Sequence, residues 1–82
     1  SDPCCNTARS AIRDMISTMG LRLNTRTGEK IRGQQALNYL DRKTCDDLFM
    51  MLENIVRNHP QQNIVDEAKR ILDEWEECDG GL

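Results

Sequence analysis

The side chains in this 82-residue chain with chemical potential are four cysteines, one histidine, a cluster of cations and a methionine pair. Cys4 and Cys5 are adjacent, with Cys45 and Cys78 far away along the chain. Neighbouring cysteines rarely bond each other, so an oxidised form ties Cys4 and Cys5 to Cys45 and Cys78. Either of two pairings satisfies this, and the sequence leaves both open. An even count in a small domain fits a secreted, stapled fold. Reduced, the same thiols act as small apolar residues, with Cys78 three places after Trp75 on one helical stripe.

Other site chemistries find little support. His59 is the only histidine and no C-x-x-C spacing occurs, so a tetrahedral zinc site has no local scaffold. No metal or other cofactor is expected. Cys45 sits at a helix start, which favours a thiolate, but Asp46 and Asp47 beside it oppose one. His59 would lie ~20 Å along the same helix, too far to serve as its base. Asp73, Glu74, Glu76, Glu77 and Asp79 crowd one exposed stretch and read as solvated acids, not a general acid–base pair. Thr27-Gly28-Glu29-Lys30 lacks P-loop spacing. The expectation is a protein that is not an enzyme.

Binding chemistry is better represented. Arg22, Arg26, Lys30 and Arg32 form a basic segment able to meet anions. Residues 1–43 carry a balance of +4 and residues 44–82 one of −7, together the −3 of the whole chain. An acidic half on so small a body opposes general nucleic-acid binding. No aromatic residues interleave the cations for base stacking. A helix-turn-helix would present Cys45-Asp46-Asp47 to the groove, the wrong charge for that end. Nucleic-acid binding through the basic half therefore stands behind protein binding. Met50 and Met51 adjoin an apolar stripe, and consecutive helical residues point ~100° apart, so one of them is near the surface. An exposed thioether beside an apolar groove suits peptide docking.

These residues must be positioned by helices, because the apolar residues recur at helical spacing almost throughout. Ala8, Ile12, Met15, Ile16 and Met19 predict a helix over 6–19, closed by Gly20. Residues 21–28 show no helical period and read as a loop. A second helix is expected over 29–40 with Ile31, Ala36, Leu37 and Leu40 inward, weakened by Gly33 at up to ~1 kcal/mol. Thr44 with Asp46 and Asp47 marks a third start, followed by Cys45, Leu48, Phe49, Leu52, Ile55 and Val56 and stopped by Pro60. A fourth helix is expected over 63–77 from Ile64, Val65, Ala68, Ile71, Leu72 and Trp75. No alternation of period two argues for a sheet. The expected fold is all-α, a compact bundle of about four helices in one domain, with residues 1–5 flexible or disulfide-tethered and 79–82 a tail.

The stretch from Val56 to Trp75, with Ala68, Lys69, Leu72 and Trp75 at matching positions, resembles the end of the N-terminal domain of transcription elongation factor S-II. That resemblance implies a nuclear helical bundle of the transcription machinery that binds short disordered motifs. Taken together, the sequence leads to a non-enzymatic interaction module or scaffold. It would dock a peptide or partner helix in a groove between the last two helices. Met50 and Met51 would line that groove, and Arg22, Arg26 and Lys30 would form a basic rim. Its expected compartment is intracellular, in the nucleus if the resemblance holds. The alternative is a secreted disulfide-stapled factor bound to a receptor or target protein. No stretch reaches the ~20 apolar residues of a membrane helix, so no membrane partner is expected.

Overall fold

A computed structural model describes residues 3–79, with side chains described from Pro3 to Glu77. Four helices form a bundle: α1 (Pro3–Met19), α2 (Gly33–Asp41), α3 (Cys45–Asn58) and α4 (Gln62–Asp79). Between α1 and α2 lies an antiparallel hairpin of β1 (Leu23–Asn24) and β2 (Lys30–Ile31). The fold class is the expected one, and the hairpin corrects the loop expected there. Two-residue strands are too short to show alternation in sequence. Leu23 pairs with Ile31 and both are buried, while Asn24 and Lys30 pair on the exposed side. The turn closes through Thr25 N–H to the Glu29 carbonyl at 2.8 Å and Gly28 N–H to the Thr25 carbonyl at 3.0 Å. Gly28 has φ +85°, a conformation that only glycine adopts at no steric cost.

The expected second helix over 29–40 begins instead at Gly33, whose φ of +57° turns the chain from β2 into α2. Gly33 thus stands at the helix boundary rather than inside it, and its left-handed backbone is the reason for glycine there.

Helix α1 starts at Pro3, three residues earlier than the periodicity suggested. Proline suits a first helical position because its missing N–H would have no partner there. Thr7 Oγ1 donates to the Pro3 carbonyl at 2.9 Å. Cys4 and Cys5 are therefore buried helical residues.

Positions 5, 9 and 13 form an i, i+4, i+8 stripe on α1, and each is fastened to the α2–α3 junction. Cys5 is disulfide-bonded to Cys45, with Cα atoms 5.5 Å apart. The Arg9 guanidinium donates to the carbonyls of Leu40 and Lys43, the latter at 2.8 Å. The Leu40 carbonyl, which also accepts from Lys43 N–H at 3.1 Å, lies in the last turn of α2 and the Lys43 carbonyl just beyond it, where the negative end of the helix dipole favours a cation. Arg13 forms an ion pair with Asp41. The adjoining α1 stripe of Cys4, Ala8, Ile12 and Met15 is buried in the core, and α1 packs against α4. Cys4 is also disulfide-bonded. The second half of that expected pairing, Cys4 with Cys78, falls outside the described residues.

Helix α3 opens with a reciprocal cap. Asp47 N–H donates to Thr44 Oγ1 at 3.2 Å and Thr44 N–H donates to Asp47 Oδ2 at 3.1 Å. The backbone N–H of Thr44, stabilising the ionised form, holds the Asp47 carboxyl below its ordinary pKa. Leu48, Leu52 and Ile55 of α3 meet Ile64, Ala68, Ile71 and Trp75 of α4 in the shared core. Each large apolar side chain fully buried there contributes ~1.5–3 kcal/mol relative to exposure.

Closing a loop of sequence separation 40 removes unfolded-state entropy worth about 4 kcal/mol. Replacing both Cys5 and Cys45 by Ala is accordingly expected to lower unfolding stability by about that amount in urea titration. A loss below ~1 kcal/mol would show that the bridge constrains nothing the fold does not already fix.

Candidate functional site

The last two turns of α3 carry Met51, Asn54, Ile55 and Asn58 along one face, and the chain then leaves the helix through His59 and Pro60. His59 is extended at φ −72° and ψ 135°, as a residue preceding proline must be, and its N–H still bonds the Ile55 carbonyl at 2.9 Å. This exit opens a space beside α3. The hairpin borders the space with Arg22, Leu23, Asn24 and Lys30, and the end of α1 adds Met19 and Gly20. Gly20, at φ +69°, turns the chain there, and Leu21 N–H bonds back to the Met15 carbonyl at 3.1 Å. The result is a cleft of about 520 Å³.

Its floor is apolar and its edges are polar. Leu23 and Ile55 are buried, and Met19 and Met51 are half-buried. Arg22 and Lys30 are exposed and supply positive charge, and no Asp or Glu lines the cleft. The side-chain amides have defined orientations. Asn58 Nδ2 donates to Asn54 Oδ1, which leaves the Asn54 amide hydrogens for another acceptor. Gln61 N–H donates to His59 Nδ1 at 3.1 Å, which puts the ring proton on Nε2.

Arg22, Lys30 and Met51 line this one cleft. Met50 and Arg26 are not part of it. Met50 is 65% exposed and points away from the cleft beside Phe49, while Arg26 occupies the hairpin turn. The cleft that Met51 lines lies between α3 and the hairpin. Helices α3 and α4 pack directly on each other, and Trp75 meets Phe49 edge to face at 5.5 Å. Met19, Asn54, Asn58 and His59 escaped sequence reading as site residues. The available signal was the His59-Pro60 exit, which makes the preceding helical turn an edge.

The remaining electrostatics lie on α4, away from the cleft. The Arg70 guanidinium holds the Glu67 carboxyl below its usual range, and hydrogen bonding to Glu67, with help from Glu74, raises the Arg70 pKa further. The sulfur of Cys45 is committed to Cys5, which closes the nucleophile chemistry considered for that position. Among the described residues no group of three or more His, Cys, Asp or Glu could hold a metal ion. No described helix is long and apolar enough to cross a membrane. No family profile, curated protein or solved structure matches this chain.

Arg22 and Lys30 are exposed and absent from the ion pairs among the described residues. The double variant Arg22→Gln, Lys30→Gln is expected to unfold within ~0.5 kcal/mol of the parent. A larger loss in thermal or urea unfolding would mean that these cations serve the fold rather than a ligand.

Proposed function

We propose that the protein is a non-enzymatic interaction module that docks a peptide segment of a partner in the cleft between α3 and the hairpin. The observation that supports it most is the lining itself: an apolar floor containing an adaptable thioether, edged by two cations and no carboxylate. The resemblance of Val56–Trp75 to the elongation-factor domain points to the same class of activity, with Ala68 and Trp75 serving as core residues here. A peptide library displayed on phage and selected against the oxidised domain tests the reading. Selected peptides are expected to lose binding to Met51→Glu and to keep it for Met50→Glu, with both variants folded by circular dichroism. Equal binding to the two variants would refute the placement.

A second reading, a secreted stapled factor, is favoured by the Cys5–Cys45 disulfide. It shares the cleft and differs in compartment. Under it, reducing the bridges with a phosphine abolishes peptide binding and reoxidation restores it. Undiminished binding by the reduced chain would favour an intracellular module instead.

A further inference from the structure

We propose that the cleft's occupant is a short acidic segment of a partner protein, in which one large apolar side chain is flanked by carboxylates. This deepens the docking reading and rests on it. Three observations carry the choice of partner.

The first is an imbalance of charge pairing. Arg13, Arg57 and Arg70 each have a carboxylate partner in this chain. Arg22, Arg26, Lys30 and Arg32, within and beside the hairpin, take part in none of the ion pairs among the described residues; Arg9, Arg42, Lys43 and Lys69 take part in none either, but only Arg22 and Lys30 line the cleft. A chain with net charge −3 has acids to spare, yet none lines the cleft, and Glu29 of the hairpin turn lies outside that lining. The local field therefore attracts anions although the molecule as a whole repels them.

The second observation is the direction of the neutral groups. With His59 Nδ1 and Asn54 Oδ1 already accepting, the hydrogen-bonding capacity left on these groups includes the donors Nε2–H of His59 and the amide hydrogens of Asn54, beside the one acceptor Asn58 Oδ1. Carboxylates are acceptor-only and meet donors and cations together in charge-assisted bonds.

The third is size. A volume of about 520 Å³ takes one large side chain with its flanking backbone. A whole amphipathic helix docks through anchors at i, i+3 or i+4, and i+7, and needs a longer furrow than this. Met51 and Met19 at the floor, with Leu23 and Ile55, would receive the anchor, while Arg22 and Lys30 meet the neighbouring carboxylates. So small an interface belongs to the weak, transient class.

The test uses the oxidised full chain, isotope-labelled and titrated by NMR with synthetic peptides. One peptide carries a central Phe with two Glu on each side, a second has Gln for each Glu, and a third has Ala for Phe. The first is expected to shift the Met51 methyl and the Asn54 and Asn58 side-chain amides while leaving the Met50 methyl still. The Gln peptide should bind roughly tenfold more weakly, and the Ala peptide should not saturate. In Arg22→Gln, Lys30→Gln the Glu peptide should fall to the level of the Gln peptide. Equal binding by the Glu and Gln peptides, still centred on Met51, would overturn the acidic partner and leave the cleft a docking site. No shift at Met51 with any peptide, including those selected by display, would remove both readings. Binding of phosphatidylserine vesicles in preference to the Glu peptide, with shifts at Arg26 and Arg32, would put a lipid surface in the partner's place and overturn the proposal.

Discussion

The stripe Cys5, Arg9 and Arg13 is the constraint on which this small bundle depends. It fastens one face of α1 to the junction of α2 and α3 by three different interactions: a covalent bond to Cys45, hydrogen bonds from a guanidinium to the Leu40 and Lys43 carbonyls, and an ion pair to Asp41. The contributions are unequal. The disulfide acts on the unfolded ensemble, the Arg9 guanidinium sets a cation against carbonyls at the negative end of the α2 dipole, and the exposed Arg13–Asp41 pair adds little. Together they set where α2 ends and α3 begins, and the reciprocal Thr44–Asp47 cap then launches α3 from that point. With α1 fixed on this side, its neighbouring stripe can close the core against α4.

The cleft follows from the same arrangement at the opposite end of α1. Gly20 stops the helix, Leu21 and Leu23 turn back into the core, and the hairpin is left standing beside the last turns of α3. A hairpin of two-residue strands has no independent stability, so its position is set by buried Leu23 and Ile31. Those two anchors hold Arg22 and Lys30 beside a floor shared by Met19, Leu23, Met51 and Ile55. Leu23 and Ile31 point inward, and Arg22, Asn24 and Lys30 are exposed.

What the sequence revealed, and what it hid, divides along the range of the interactions. Helices α3 and α4 were legible because Leu48, Leu52 and Ile55, and Ile64, Ala68 and Ile71, repeat one helical period over several turns. Thr44 and Pro60 punctuate the same stretch. The hairpin was hidden because Leu23 and Ile31 mark its buried face with a single residue in each strand. Arg9 was hidden for a different reason: its partners are backbone carbonyls, which leave no side-chain signature. The disulfide set was narrowed to two pairings, and the choice of Cys5 for Cys45 came from geometry, since Cys4 lies ~100° around the same helix. Of the site, Arg22, Lys30 and Met51 were legible as types of residue, while their convergence required the fold. Met50 and Arg26 shared the type and not the place.

The most direct test of this account is a disulfide map of the protein from its native source, by non-reducing digestion and mass spectrometry with fragmentation between Cys4 and Cys5. The account predicts a cross-linked peptide joining Cys5 to Cys45. A bond from Cys45 to Cys4 would contradict it by moving the tether off the Cys5–Arg9–Arg13 stripe, and a bond from Cys45 to Cys78, or four free thiols, would contradict it by leaving α1 without that tether.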